Sequence, residues 1–443
     1  MKISVHMLTL AILISSSAAF ATSGTISGRY TSTERRVIPG DRAADVAATR
    51  WNPGTRTRGD ATEWPLQNAL VRVRINTTLR DGSSSHTYEF FTKTNDNGEY
   101  LISWDISNFR NITSANATLF WERPDIDNYN TYTSRPSYKF KVTNDAGFVY
   151  GYTTSVTPSA NNNVVRSTHF TLSSRDRIIA AYFSANEVME LLREMDSTDS
   201  MYDDIVGANL NLVSFIDAQT AAVPNDHTVH LLLDRHVDDA EVGPHELGHL
   251  IAWRQLDIFL APYNFFDYDE CFGSVPGRWN WDLTSRECEK IAFWEGFATF
   301  IEAAWLFERT ATTPEVADLR LENVSTGLCS IPRGKNRALC QAAIIWDFYD
   351  DPRDPITGSR FDVFGNPLDD DDIKTRTLAS ISRTLEDYPR GCAPFIDNRC
   401  SNERGYFQNA YDFRANFDRW SNSADVGRLS NIIIQNGSQD ARN

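Results

Sequence analysis

Long apolar runs, short cysteine clips and late histidines are all missing from this chain. Beyond the N-terminal segment no stretch approaches the ~20 uninterrupted apolar residues of a membrane helix, which argues against a membrane span. None of the six cysteines forms a C-x-x-C pair, so a zinc-thiolate clip or a dithiol redox site is disfavoured. Positive charge is short as well. Lys and Arg number 43 against 59 Asp and Glu, a formal net charge of -16, which argues against nucleic acid and anionic lipid as partners. All eight histidines lie at or before His249, so any site that His249 joins must be completed by other residue types.

The first residues, "MKISVHMLTLAILISSSAAFA", combine one Lys, an apolar core from Val5 to Ile14 and small residues at Ala19 and Ala21. This pattern predicts a signal peptide over 1–21 and a secreted, extracellular or periplasmic protein, with an uncleaved signal anchor as the alternative. The roughly 420 residues that follow exceed one hydrophobic core and predict two or three domains. In an exported chain the cysteines favour disulfides. Their order pairs Cys271 with Cys288, Cys329 with Cys340 and Cys392 with Cys400 as three local loops, although six cysteines permit about fifteen pairings. Sequons stand at Asn76, Asn111, Asn116, Asn323 and Asn436.

From Gly24 to about Ser173 the chain reads as strands. "ALVRVRI" alternates Val71, Val73 and Ile75 against Arg72 and Arg74, and "YKFKV" at 138–142 does the same. "NDNGEYLISW" runs from a turn signal into a strand, and "HTYEFF", "ATLFW" and "GFVYGYT" add aromatic strands. A β-sandwich over 22–172 is predicted, with 36–64 as a long loop. "GTISGRY", "PLQNALVRVRI" and "TKTNDNGEYLI" together resemble the carboxypeptidase regulatory-like and related Ig-like modules. Surface or glycan contact, substrate binding and latency all stay open as roles for the region.

The pattern changes at Asp176. "RIIAAYFSANEVMELLREM" carries helical spacing, "ANLNLVSFI" and "HTVHLLLD" read as strands, and "GPHELGHLIAWRQ" follows. In this last helix His245 and His249 fall four apart on one face, with Glu246 beside the first. Asp238 or Asp239 is a candidate cap, and Pro244 is tolerated only in the first turn, where no amide donor is needed. Zinc requires at least three protein ligands. A metzincin third histidine would need Gly and His where the chain has Ala252 and Gln255, so a carboxylate from another helix is expected. "KIAFWEGFATFIEAAW" surrounds Glu295 with Phe293, Trp294, Phe297 and Phe300, which predicts a buried carboxylate. Metal coordination is one of the few arrangements that tolerates such burial, a salt bridge to a buried Arg being the alternative.

"HELGH" with "WEGFATF" downstream resembles the gluzincin metallopeptidases, in particular their zinc aminopeptidase branch. The resemblance implies a zincin-like α+β catalytic domain over 173–443 with a mainly helical C-terminal lobe. It also implies zinc held by His245, His249 and Glu295, with Glu246 as general base toward a water whose pKa falls to about 7. A helix is read over "ALCQAAIIWDFYDDP". By the same resemblance Tyr349 there is the transition-state donor, and Asp347 nearby is a candidate to orient a ligand imidazole, against a core tyrosine and an ordinary helix-end acid. Zincins keep a peptide-pairing edge strand before the metal helix, a role that falls to "HTVHLLLD". Two departures stand out: Trp294 replaces the family's Asn, and "GANLN" at 207–211 lacks the glutamate that grips a substrate amino terminus in the aminopeptidases. The second favours an endopeptidase acting on peptide or protein substrates.

Other features carry less. His227, His230 and His236 read as solvated strand histidines rather than ligands. "LDDDDIK" lacks the spacing of a calcium loop and reads as solvated, so structural Ca2+ is without support. Two further classes stay open: an adhesion or carbohydrate-binding protein with a degenerate zincin scaffold, and a zinc amidase acting on cell-wall peptides.

Overall fold

The computed structural model describes residues 23–32, 64–79, 82, 84–106, 109–156, 163–170, 176–195, 200–213, 221–223, 227–232, 242–255, 283–284, 289–307, 315–316, 319–321, 329 and 337–349, with isolated positions from 380 to 429. The expected signal peptide, the loop at 36–63, Asp238, Asp239, His236, Cys271, Cys288, Cys392, Cys400, Asn323, Asn436 and "LDDDDIK" lie outside the described residues.

Strands β1 (Ser23–Ser32), β2 (Trp64–Pro65), β3 (Leu70–Leu79), β4 (Ser85–Lys93), β5 (Glu99–Asp105) and β6 (Phe109–Phe120) open the described chain. They are followed by β7 (Glu122–Pro124), β8 (Tyr138–Asn144), β9 (Gly151–Val156), β10 (Asn163–Val165) and β11 (Thr168–Phe170). One sheet is built on β1, antiparallel to β2 and β5 and parallel to β10 and β11. A second, antiparallel sheet has the order β4-β3-β6-β9. Period-two alternation buries Val71, Val73 and Ile75 of β3 with Ala115, Ala117 and Leu119 of β6. It also buries Tyr100, Ile102 and Trp104 of β5 with Ile26 and Tyr30 of β1, and both sets share one hydrophobic cluster. Gly98 turns the chain into β5 at φ 73°, where a side chain would strike the Tyr30 carbonyl, so the turn needs glycine on two counts.

The third sheet adds β12 (Ala208–Val213), β13 (Ala221–Val223) and β14 (Thr228–Leu232), in the order β13-β14-β12-β8-β7. β8 runs parallel to β12, with Phe140 opposite Ala208 and Val142 opposite Leu210. β7 and β8 therefore precede residue 173, where the sequence places the domain change, yet hydrogen-bond in the sheet of the later strands. The alternation of "YKFKV" specifies a strand with one buried face and is silent about its partner. The partner is chosen by packing. Phe140 meets the ring of Tyr182 at 5.3 Å, and Tyr182 belongs to the first helix.

Helices are α1 (Asp176–Met195), α2 (Ser200–Asp204), α3 (Val242–Gln255), α4 (Glu289–Leu306) and α5 (Ala338–Tyr349). α1 ties the sheets together: Tyr182 donates its hydroxyl to the Gln67 carbonyl at 2.7 Å, and Arg123 of β7 pairs with Glu190 at 2.6 Å. α4 is buried nearly all round, so its stability comes from packing rather than from one amphipathic stripe. A side-chain carbon at Gly296 would lie 2.5 Å from Gln341 Cβ, so only glycine lets α4 approach α5 this closely. Cys340 in the first turn of α5 is bonded to Cys329, one of the three pairings read from cysteine order. No described helix is long and apolar enough to cross a membrane.

Candidate metal centre

α3 and α4 together build the site. Pro244 sits in the first turn of α3, and His245 and His249 follow on one face with ring centroids 4.9 Å apart. Gly248, between them, faces α4: a Cβ there would lie 2.7 Å from Ala298 Cα. This close crossing brings Glu295, one turn before Ala298, up to both imidazoles. Glu295 Oε2 is 3.3 Å from His245 Nε2 and 3.4 Å from His249 Nε2. Among the described residues His245, His249 and Glu295 form one group whose ligand atoms all lie within 4.8 Å of one another, an arrangement that could hold a metal ion. His227 and His230, on or beside β14, are not in it, and His230 Nδ1 lies 3.4 Å from Asn211 Nδ2.

The surroundings of His245, His249 and Glu295 are acidic and largely buried. Glu246, Glu295 and Glu302 are all buried. Burial alone would push His245 toward its neutral form, but hydrogen bonds to Glu295 and Glu302 and the charge of both carboxylates hold its pKa well above the usual histidine range. Burial likewise opposes charge on Glu295, and the charge of His249 with hydrogen bonds from both imidazoles overrides it, holding the carboxyl far below its ordinary range. The cluster thus keeps anionic oxygen and imidazole nitrogen facing one point. A proton or a cation there satisfies them both.

Two residues at the site escape a reading of the sequence alone. Glu302 Oε2 lies 3.2 Å from His245 Nδ1, the ring nitrogen turned away from Glu295. It sits seven residues after Glu295, two turns along the same helix face, and an acid at that spacing in so apolar a segment was the available signal. Trp294 stacks on His249 at 5.5 Å with planes 18° apart, so the residue that departs from the family pattern braces a candidate ligand. Asp347, expected to orient an imidazole, is buried on α5. The carboxylate on His245 Nδ1 is that of Glu302, and His249 Nδ1 has no hydrogen-bond partner among the described residues. Tyr349 is fully enclosed, its ring edge-on to Phe300 at 5.4 Å and to Trp346 at 5.8 Å.

The neighbouring sheet corrects one expectation. "HTVHLLLD" supplies β14, an interior strand between β13 and β12, and among the described residues the edge is β13, antiparallel to β14 and lying against α3. "GANLN" runs into β12, at the middle of the sheet. Hydrophobic alternation marks β14 as a strand but cannot tell an edge from an interior position, because that depends on a three-residue neighbour too short to register. No protein-family model matches this chain, and no curated protein matches it either.

Proposed function

We propose that this chain is an exported, zinc-dependent metallopeptidase that cuts within peptide chains, with an N-terminal β-sandwich ahead of a zincin-like catalytic domain. The observation that carries the reading is the meeting of one carboxylate oxygen with two imidazole nitrogens at 3.3 and 3.4 Å. Ligands held about 2.0–2.1 Å from a tetrahedral ion are separated by about 3.3–3.4 Å, and two imidazoles with one carboxylate make a common catalytic zinc set. When bound, zinc supplies Lewis acidity that brings a water toward pKa ~7 and polarises a substrate carbonyl.

The chain's own groups supply the rest. Glu246 follows His245 in α3, and its carboxylate takes a proton from the attacking water and delivers it to the leaving amine. Glu302 fixes the ring orientation of His245 by holding Nδ1–H, and Trp294 holds the plane of His249. The resemblance assigns Tyr349 as the donor to the developing oxyanion, a role that requires its enclosed ring to open toward the site. β13, as an antiparallel edge beside α3, offers main-chain groups along which an extended peptide can lie. The absence of a glutamate from "GANLN" favours internal cleavage, since an unmatched substrate ammonium would be held poorly.

The test is metal content and hydrolysis measured together. Wild type dialysed against zinc retains one equivalent and cleaves casein. Glu246→Gln retains the metal without cleaving, and Glu295→Ala loses both. Wild-type zinc content in Glu295→Ala would refute the assignment of the third ligand.

A further inference from the structure

A second site lies on the N-terminal sheets, where a cavity of about 500 Å³ opens beside β5. Leu101, Tyr129 and Val165 are 53%, 46% and 77% exposed, and with Phe148 they are the large apolar side chains most open to solvent among the described residues. These three line the cavity. Single exposed apolar residues need no explanation, but three around one concavity mark a binding surface.

The cavity also holds a cation without an ion pair among the described residues. Lys93 lines it and is 9% exposed, yet among the described residues no carboxylate oxygen lies within ion-pair distance of its ammonium. Its contact is with the face of the Tyr129 ring, 5.0 Å from the centroid, which is worth about 0.5–2 kcal/mol and does not replace an anion. Burial and then the charge of Arg123 hold its pKa below the usual lysine range, and Asp127 and Glu190 act in the opposite sense from farther off. Arg29 adds a second cation to the wall, and Glu99 is the acid, its Oε2 accepting from Asn95 at 3.1 Å.

The outer edge of β5 borders the same cavity and is capped on either side of Leu101. Among the described residues β5 pairs with β1 alone. The amides of Glu99 and Ser103 turn away from β1, to Asn95 Oδ1 at 2.8 Å and Thr131 Oγ1 at 2.9 Å. Alternation along a strand therefore places the N–H and C=O of Leu101, midway between them, on that outer edge facing the cavity.

We propose that this cavity is a binding site, separate from the metal centre, for an extended peptide segment that lies along β5 at Leu101 and sets a carboxylate against Lys93. The edge amide and carbonyl suit a peptide main chain, the aliphatic rim suits its side chains, and Lys93 selects the acid. A sugar is the poorer fit, because the Tyr129 face on which it would stack is occupied by the Lys93 ammonium. The inference does not rest on the metallopeptidase reading and stands if the metal centre proves inert.

The test uses the full chain carrying Glu246→Gln, so that no probe is cut, and fluorescence anisotropy of labelled acetyl-Thr-Val-Thr-Val-Glu-amide and its Gln counterpart. Binding of the Glu peptide is expected, weaker by about tenfold or more for the Gln peptide and for Lys93→Met, with no further loss when the two changes are combined. Val165→Glu, at a position too exposed to disturb folding, weakens both peptides, and the Glu peptide more. Equal binding by all of these proteins, no binding up to about 1 mM, or capture of an oligogalacturonate in place of both peptides would overturn the proposal.

Discussion

Two clusters of buried and partly buried carboxylates among the described residues are neutralised differently. Where β7 and β8 meet α1, each has its own guanidinium: Glu122 faces Arg135 at 2.6 Å, and Glu190 faces Arg123 at 2.6 Å with Arg193 at 3.0 Å. Where α3 crosses α4, Glu295 and Glu302 meet imidazoles, which carry charge only when protonated. The first cluster meets its carboxylates with permanently charged guanidiniums and ties one sheet to the next, although Glu122 Oε1 has no hydrogen-bond partner among the described residues. The second is complete only with a proton or a cation, which is the property a metal centre requires and a structural ion pair does not.

Changes that separate the two clusters should have separable effects. Zinc at about a thousand times its dissociation constant should raise unfolding free energy by about 4 kcal/mol in wild type, read by denaturant melts, and by nothing measurable in Glu295→Ala. Arg123→Met should cost about 3 kcal/mol whether or not zinc is present, because it strands Glu190 and Asn186 in a buried setting with Arg193 as a partial substitute. If zinc rescued that variant, the two clusters would not be independent. Glu302→Gln should lower zinc affinity about 10–100-fold in competition with a chelating dye while the global fold holds, and an unchanged affinity would remove Glu302 from the centre.

The smallest expected effect is on pH dependence. In chelator-treated protein the raised pKa of His245 contributes stability in full below the ordinary histidine value, and this is lost as pH climbs through the folded-state value. The depressed pKa of Glu295 contributes stability above the ordinary carboxylate value, lost as pH falls through its folded-state value. The metal-free form should therefore be most stable in the mildly acidic range between the two ordinary values. Zinc must displace the His245 proton, so its apparent affinity should rise with pH. Thermal melts across that range with and without chelator would show this as curves that diverge toward alkaline pH.

What the sequence made legible was local. His245, Glu246 and His249 announce themselves by spacing on one helix, and Glu295 by being an acid inside an apolar segment. Both are properties of short windows. Glu302 lies in the same window, but its approach to His245 Nδ1 depends on how α3 crosses α4, which the window does not encode. The membership of β7 and β8 in the third sheet, and the interior place of β14, depend on pairings across tens of residues that alternation does not encode. The Lys93 cavity was likewise out of reach, since it joins β4, β5, Tyr129 and β10, none of which stands out alone.

The central claim is that His245, His249 and Glu295 hold a zinc ion with which Glu246 hydrolyses internal peptide bonds. Its most direct test is product sequencing by mass spectrometry after a complex protein digest is incubated with zinc-loaded wild type and with zinc-loaded Glu246→Gln. The account predicts new internal termini with wild type and none with the variant. Identical product sets from the two proteins, each carrying its zinc, would contradict it.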